Sequence, residues 1–206
     1  MCNTACIDFL RKELRSEDVF GKSVLEVGSY NENGSIRPFV ESLKPKEYIG
    51  ADLKRGAGVD VICDVSKLIT GFGINRFDVV ISTEMLEHIQ DWSRAISQMK
   101  LVLKPGGIIM LTTRSFGCPY HAFPLDFWRY EVDDIRKIFA DFSIEAIEKD
   151  PLLPGVFVKA KKPDSFSAND LGGVTLWSMM LKKKVRKISS LEVFVFRCKA
   201  KIAQFF

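Results

Sequence analysis

The sequence has 206 residues, of which 47% are hydrophobic and 27% charged, which excludes a disordered chain and suffices for one domain with a full core. No apolar run approaches the roughly 20 residues that a membrane-spanning helix needs, and the N-terminus lacks the basic start of a secretory signal. The five scattered cysteines indicate reduced thiols and a cytoplasmic protein. Cys2 and Cys6 have no second Cys or His pair to complete a zinc site, so the sequence predicts no metal site.

The net charge of +4 is unevenly distributed along the chain. Residues 161–206 carry ten Lys and Arg against three Asp and Glu, whereas residues 1–160 carry 20 against 23. A basic tail after a mildly acidic body predicts two parts with different roles. We expect a main domain over 1–162 and a basic, partly helical extension over 163–206.

Five apolar, β-branched runs predict strands that are buried on both faces, as in a parallel sheet. They are Ser23–Gly28, Glu47–Asp52, Val59–Cys63, Phe77–Ser82 and Gly107–Thr113. Helical patterns lie between some of them, at Gly34–Leu43 and at Asp91–Leu103. This alternation predicts an α/β fold with a doubly wound, Rossmann-like sheet in three α/β/α layers.

The pattern changes after the fifth strand. Residues 114–130 are rich in aromatic residues, Pro and Gly and predict a long loop, and Glu131–Ala140 predicts a helix. Phe142–Lys149 and Gly155–Lys161 predict two strands, and the short turn between them makes them antiparallel neighbours. The polar stretch Pro163–Gly173 predicts a linker to the extension.

The loop that follows the first predicted strand, from Glu26 to Gly34, carries the first functional signal. Ligands of open α/β sheets bind beyond the carboxyl ends of the strands. A dinucleotide site needs a second glycine near the pyrophosphate, but Tyr30 stands there and Glu32 nearby would repel a phosphate. Acidic and aromatic residues instead favour a cationic sulfonium. The loop therefore favours S-adenosylmethionine (SAM) and disfavours an NAD-linked reductase.

Two further acidic residues end the next predicted strands, Asp52 the second and Asp64 the third. A carboxylate at Asp52 can accept hydrogen bonds from ribose hydroxyls, and one at Asp64 from an adenine amino group. Taken singly, each is equally well a helix cap or a turn former. Together with Glu26, they favour a cofactor site.

Several motifs occur in the order found in class I SAM-dependent methyltransferases, and over residues 20–115 the chain resembles their methyltransferase type 11 group. The motifs are Val24–Gly28, Asp52, Asp64-Val65, Phe77–Ser82, Glu84–His88 and Leu103–Gly107. The resemblance implies a seven-stranded sheet with an antiparallel last strand, SAM as methyl donor and S-adenosylhomocysteine as product. The chain departs from the family at Tyr30, where glycine is usual.

The resemblance also implies that Glu26 and Gly28 serve the methionine end of SAM, Asp52 the ribose and Asp64 the adenine. The cofactor-binding residues that we expect are Glu26, Gly28, Ser29, Tyr30, Asp52, Leu53, Asp64, Val65, Ser82, Thr83 and Glu84.

The two histidines of the chain, His88 and His121, are the candidate catalytic residues. His88 follows the fourth predicted strand, and His121 lies in the long loop on the same side of the sheet. Each can act as a general base, which methyl transfer needs only when the acceptor must lose a proton. A structural role for His88, capping a helix or bonding Glu87, is the alternative.

Four residues of the long loop are the candidate acceptor-binding residues: Tyr120, Trp128, Arg129 and Tyr130. The aromatic rings can wall an acceptor site or simply cover the sheet edge, and Arg129 can bind an anionic group or form an ordinary ion pair with Glu131 or Asp133. The surrounding segment is similar to one in bacterial methyltransferases of this group, some of which are encoded near genes for glycan synthesis. We therefore expect O- or N-methylation of a small or glycan-type acceptor; the alternative is a SAM-fold protein that binds without turnover.

The basic extension contains apolar residues at helical spacing: Ile188, Leu191, Val195, Cys198, Ile202 and Phe205. Such a helix can pack on the domain or on a second subunit, or it can lie on an anionic membrane, which would make a cytoplasmic protein membrane-associated. No nucleic-acid partner is expected, because the body is acidic and lacks a known binding motif.

Overall fold

The structure is a computed structural model that describes residues 4–32, 34–121 and 124–203, with side chains up to Lys199. The helices are α1 (Thr4–Glu13), α2 (Ser16–Val19), α3 (Arg37–Ser42), α4 (Leu68–Phe72), α5 (Trp92–Val102), α6 (Val132–Ile138) and α7 (Ser190–Ala203). The strands are β1 (Ser23–Val27), β2 (Glu47–Asp52), β3 (Val61–Ile62), β4 (Phe77–Thr83), β5 (Leu103–Arg114), β6 (Trp128–Arg129), β7 (Ser143–Lys149), β8 (Gly155–Lys161), β9 (Leu176–Ser178) and β10 (Lys183–Val185). Two short 3-10 helices cover Val65–Lys67 and Leu86–His88.

Seven strands form one sheet in the order β3-β2-β1-β4-β5-β8-β7. The first five strands run parallel to one another, whereas β8 runs antiparallel to both β5 and β7. The predicted Rossmann-like sheet with an antiparallel last strand is thus confirmed. The winding direction reverses between β1 and β4, and the carboxyl ends of strands at such a point form a ligand crevice.

Alternate side chains of the sheet enter two separate cores, which makes the domain three-layered. On one face, Val24, Val79 and Met110 pack with α1 and α3. On the other face, Leu25 and Val80 pack with α5 and α6. Because each central strand is buried on both faces, its sequence is nearly all apolar, as a parallel sheet requires.

The predicted strands and helices lie close to their predicted bounds, with differences at element ends. Helix α5 is preceded by Asp91, whose carboxylate accepts a hydrogen bond from the Arg94 N–H at 3.2 Å. The sequence did not predict helices α1, α2 and α4 or strands β9 and β10, and the predicted loop 114–130 contains the short strand β6.

Part of the basic extension packs on the domain. Strand β9 pairs with β6 and β10 in a second, three-stranded sheet, and Leu176, Ile188 and Val193 belong to the core beside α5 and α6. Leu191 and Val195 of α7 are exposed, while the predicted positions Ile202 and Phe205, like Cys2, lie outside the described side chains. The division at residue 162 and contact with a second subunit or a membrane stay predictions.

Within the described part of the chain, no helix is long and apolar enough to cross a membrane.

Candidate functional site

A cavity of about 530 Å³ opens at the carboxyl ends of β1, β2 and β4, at the point where the winding of the sheet reverses. Its volume falls in the usual range for small-molecule sites. Its wall contains Glu26, Val27, Gly28, Ser29, Tyr30, Glu32, Gly34, Asp52, Leu53, Lys54, Cys63, Val65, Thr83, Glu84, Met85, His88, Ile89, His121 and Pro124. Nine of the eleven predicted cofactor residues are in this wall; Asp64 and Ser82 lie outside it.

Glu26, at the floor of the cavity, is almost completely buried. Burial raises the pKa of this carboxyl to about 7, although the hydrogen bond from Tyr48 and the charge of Arg37 act to lower it. The Tyr48 hydroxyl donates to Glu26 Oε2 at 2.7 Å. A buried carboxylate with one fixed partner suits a cationic ligand group.

Gly28 makes the turn after β1 and brings the backbone to the cavity. Its φ of +78° is unfavourable for a residue with a side chain, and a Cβ there would lie 2.8 Å from the Cγ of Met85. We expect Gly28→Ala to lower the free energy of unfolding by about 1–2 kcal/mol for the left-handed backbone, with a further loss from the Met85 contact and weaker cofactor binding.

Urea denaturation of Gly28→Ala and Gly21→Ala checks this expectation. Gly21 also has a positive φ, of +68°, but a Cβ there meets nothing within 4 Å. The control Gly21→Ala should therefore lower the free energy of unfolding only through its left-handed backbone, and it should leave cofactor affinity unchanged. Equal behaviour of the two variants would contradict a role for Gly28 in shaping the cavity.

Tyr30, the departure from the family pattern, is accommodated by a neighbouring loop. Its ring lies against Gly56, where a Cβ would come within 2.1 Å of Cε2, and its backbone N–H donates to Asp52 Oδ2 at 3.2 Å. The loop after β1 is also held by a hydrogen bond from the Asn31 N–H to the Ala57 carbonyl at 2.9 Å. Other contacts thus fix the loop without the usual glycine.

Of the remaining predicted cofactor residues, some line the cavity and others lie outside its wall. Asp52 and Leu53 line the cavity at the end of β2, and Val65 lies further along. Asp64 caps the 3-10 helix that follows it by accepting a hydrogen bond from the Ser66 N–H at 2.8 Å, and Ser82 is buried. The structural alternative for Asp64, a helix cap, is therefore present.

Thr83 ends β4 and Glu84 follows it, and both lie in the cavity wall. Glu84 has a positive φ of 52°, and its buried carboxylate contacts the Arg114 guanidinium and accepts a hydrogen bond from the Cys6 thiol at 3.4 Å. Helix α1 therefore contacts a residue of the cavity wall, a link that the sequence did not predict.

His88 and His121 meet at the wall of the same cavity, with ring centroids 4.9 Å apart. Behind them lies Glu87, completely buried, whose Oε1 is 3.9 Å from His88 Nε2 and 3.7 Å from His121 Nε2. The neighbouring Cys118 and Glu87 raise the pKa of His121 to about 10. Burial acts to raise the pKa of Glu87, but His121 and His88 outweigh it and hold the pKa at about 2.

Three of the four predicted acceptor residues, Trp128, Arg129 and Tyr130, are completely buried and lie outside the cavity wall. The Trp128 indole N–H donates to the Ile89 carbonyl at 3.0 Å, and the Tyr130 hydroxyl donates to the Leu86 carbonyl at 3.2 Å. They support the segment that carries His88. The fourth, Tyr120, is partly exposed outside the cavity wall, with its ring 5.8 Å from that of Phe196.

Arg129 pairs with Asp126 instead of the predicted Glu131 or Asp133. Its two terminal nitrogens lie 2.5 and 2.6 Å from the two Asp126 oxygens. Asp126 in turn accepts a hydrogen bond from the His121 N–H at 3.0 Å. Arg129 therefore fixes the loop that carries His121.

The strand order and the cavity at its carboxyl edge are the architecture of SAM-dependent methyltransferases. The chain superimposes on an S-adenosylmethionine dependent methyltransferase from Mesorhizobium loti with a TM-score of 0.59 and 17% identity, covering 77% of this chain and 98% of that one. It superimposes on the 1,6-didemethyltoxoflavin-N1-methyltransferase of Burkholderia thailandensis with a TM-score of 0.60 and 16% identity, covering 78% of this chain and 79% of that one. At these identities the likeness shows the fold.

The chain belongs to the methyltransferase domain family, because the model of that family matches residues 3–149, more than half of its length. Among curated proteins, it is 31% identical over 114 residues to the ubiquinone biosynthesis O-methyltransferase of Paraburkholderia phymatum, covering 45% of this chain and 44% of that protein. The chain spans less than half the length of the curated relatives that it matches.

The chain thus belongs to a methyltransferase family, and its cavity fits SAM as the cofactor. The buried carboxylate of Glu26 suits a cationic methionine end, Gly28 leaves room that a Cβ would fill, and the Ser29 hydroxyl is buried with no hydrogen-bond partner among the described residues. A buried hydroxyl of this kind is normally satisfied by a ligand or water.

Proposed function

We propose that the protein transfers a methyl group from SAM to a hydroxyl oxygen of a small or glycan-type acceptor. The observation that carries this proposal is the position of His88 and His121, which line the same cavity as Glu26 and Asp52. An acceptor between the histidines and the cofactor residues is adjacent to the methyl group. Imidazole nitrogens suit a hydroxyl, with which they can exchange hydrogen bonds.

SAM supplies a methyl group bonded to a sulfonium. The acceptor oxygen attacks the methyl carbon, the carbon–sulfur bond breaks, its electron pair stays on the sulfur of S-adenosylhomocysteine, and the hydroxyl proton passes to the imidazole of His88 or to water. The task of this chain is to orient the oxygen and to exclude water. His88 and His121 are the residues that we assign to the acceptor oxygen, and the apolar Met85 and Ile89 beside them in the wall keep the site dry.

The curated relatives support transfer to oxygen, since they are named O-methyltransferases. The N1-methyltransferase that shares the fold was solved with its acceptor and S-adenosylhomocysteine bound, which makes a nitrogen acceptor the competing possibility.

Paired acceptors separate these possibilities. The protein is incubated with SAM and one of two acceptor pairs, either catechol and 1,2-diaminobenzene or a methyl glycoside and its amino-sugar counterpart. Mass spectrometry then measures both S-adenosylhomocysteine and the methylated product. We expect methylation of a hydroxyl member. Methylation of only the amines would contradict the proposal, and SAM binding without turnover of a wider acceptor panel would favour a binding protein.

For the cofactor we propose that Glu26 pairs with the methionine ammonium, that Asp52 binds the ribose and that Asp64 lies near the adenine. Gly28, Ser29, Tyr30, Leu53, Val65, Thr83 and Glu84 complete the site. Ser82, although buried, stays in the proposal as a support of Thr83.

Asp52→Ala is expected to weaken SAM binding by about 1–3 kcal/mol, because the ribose hydroxyls lose an acceptor at the cavity wall. Isothermal titration calorimetry measures the change. The matched control is Asp91→Ala, which removes a carboxylate that caps α5 outside the cavity; it should lower stability but leave SAM affinity unchanged. An unchanged affinity in Asp52→Ala would refute the ribose assignment.

A further inference from the structure

We propose that Glu87, His88 and His121 bind a divalent transition-metal ion at the acceptor end of the cavity. One carboxylate oxygen and one nitrogen of each imidazole all lie within 4.8 Å of one another. The sequence predicted no metal site, and His88 and His121 are too far apart in the chain for a ligand spacing to connect them.

The separations suit one ion after a small adjustment. Glu87 Oε1 lies 3.9 Å from His88 Nε2 and 3.7 Å from His121 Nε2. Ligands at normal zinc distances in a tetrahedral site are about 3.3 Å apart. The two pairs that include Glu87 therefore need to close by about half an ångström. The two imidazole nitrogens, which lie within 4.8 Å of each other, must also approach, and rotation of the two histidine side chains supplies these movements.

The hydrogen bonds of the two rings leave Nε2 free to bind a metal. His88 Nδ1 lies 2.8 Å from the Leu125 carbonyl oxygen, and His121 Nδ1 lies 3.2 Å from the Pro119 carbonyl oxygen and 3.3 Å from Asp126 Oδ2. These partners only accept hydrogen bonds, so the hydrogen of each neutral ring is on Nδ1 and a lone pair is on Nε2. This pattern, in which Nδ1–H donates to a carbonyl or carboxylate, is typical of metal-binding histidines.

The buried polar atoms at the centre of this cluster point to a missing ligand. Glu87 Oε2 accepts a hydrogen bond from the Thr113 hydroxyl at 2.9 Å. Glu87 Oε1 and His121 Nε2 are buried and have no hydrogen-bond partner among the described residues. When both rings are neutral, three electron-pair donors thus converge on one point inside the protein, and a cation placed there relieves their repulsion. A proton on His121 is the alternative to a metal ion, and the test below separates the two.

The residue types define the kind of ion. Two imidazoles and one carboxylate suit Zn²⁺, Fe²⁺, Co²⁺ or Ni²⁺, whereas Mg²⁺ and Ca²⁺ prefer oxygen ligands. Three protein ligands leave a coordination position open, as in catalytic zinc sites. Since both histidines line the cavity, the open position faces the acceptor.

The ion can also activate the acceptor hydroxyl for methyl transfer. This role of the ion rests on the proposed function. A hydroxyl oxygen that binds the ion releases its proton to water more readily. The resulting oxyanion attacks the methyl carbon, and the sulfur keeps the electron pair of the broken bond. No redox change is involved, so a Zn²⁺ ion is sufficient.

Binding of Co²⁺ to the full chain, after treatment with a chelator, tests the site directly. We expect one ion per chain, with visible absorption typical of nitrogen and oxygen ligands, that Zn²⁺ displaces and that millimolar Mg²⁺ does not. His88→Gln and His121→Gln should each weaken Co²⁺ binding at least tenfold. The control Asp133→Asn, an exposed carboxylate on α6, should leave it unchanged. Because the chain contains only these two histidines, a loss of Co²⁺ affinity in either variant identifies the substituted histidine as a metal ligand.

The wild-type measurement keeps the proposal falsifiable even if a variant fails to fold. The proposal is overturned if neither Co²⁺ nor Zn²⁺ binds stoichiometrically at micromolar concentration. It is also overturned if folded histidine variants bind Co²⁺ as tightly as the wild type. In either case a proton on His121 is the cation beside Glu87. Titration with SAM and the acceptor panel, each with and without chelator, separates the two proposals. If oxygen methylation persists in the presence of chelator, the catalytic role of the metal is contradicted and the oxygen-acceptor proposal stands. If the metal binds but no hydroxyl is methylated, the oxygen-acceptor proposal is contradicted and the metal site stands.

Discussion

Arg129→Met is expected to lower the free energy of unfolding by about 3–5 kcal/mol, the cost of leaving a buried charge without its partner. The side chains of Arg129 and Asp126 are both completely buried, and the guanidinium contacts both carboxylate oxygens. It also donates to the carbonyl groups of Cys118 and Pro119, at 3.2 and 2.9 Å. Methionine fills the volume but leaves these acceptors and the Asp126 charge unsatisfied.

Chemical denaturation of three variants tests this explanation. The matched control is Arg76→Met, because Arg76 contacts both carboxylate oxygens of Glu47 at 2.5 and 2.9 Å in a pair whose side chains are 38% and 30% exposed. Exposed pairs contribute at most about 1 kcal/mol. In the double variant Arg129→Met with Asp126→Leu, part of the stability should return, because no charge is left unpaired. Equal losses in the two single variants would contradict the argument.

The fold was predictable because its signals are local. The central strands are short apolar runs bounded by turn residues, and α5 begins with a capping carboxylate at Asp91 and ends before Lys104-Pro105-Gly106. The antiparallel pair β7 and β8 follows from a short connection. These features depend on residues that are close together in the chain, so short stretches of sequence predict them.

The cofactor half of the site was predictable for a related reason. Its residues follow β1, β2 and β4, and the carboxyl ends of parallel strands meet at one edge of the sheet. Asp64 shows the limit of this inference, since a carboxylate after a strand can equally cap the following helix, and here it bonds the Ser66 N–H.

The acceptor half depends on contacts between distant parts of the chain. His88 and His121 converge on Glu87 because the loop between β5 and α6 folds back over β4, and no periodicity encodes that path. Trp128 and Arg129 have the composition of a binding surface, but pairing of β6 with β9 buries them. Aromatic and arginine side chains serve a core as well as a ligand, so only the tertiary structure separates the two roles.

SAM binding is expected to weaken about tenfold for each pH unit below pH 7, with Glu26 as the responsible group. Burial raises the pKa of this carboxyl to about 7 from its ordinary value of 4.5. We expect the charged form to bind the methionine ammonium, so below pH 7 binding must first remove a proton, and above it the affinity levels off. Glu26→Gln should weaken binding at pH 7.5 by about 1.5–3 kcal/mol, the value of a hydrogen bond to a charged group, and abolish the pH dependence.

Calorimetric titration with SAM between pH 5.5 and 7.5 measures this dependence, and Tyr48→Phe supplies a second readout. The Tyr48 hydroxyl donates to Glu26 Oε2 and stabilises the charged form. Its removal should therefore shift the midpoint to higher pH while leaving the affinity at high pH weakened only modestly. Because both variants keep His88 and His121, a pH dependence that survives in Glu26→Gln would assign the titration to another group and contradict the role of Glu26 at the methionine end.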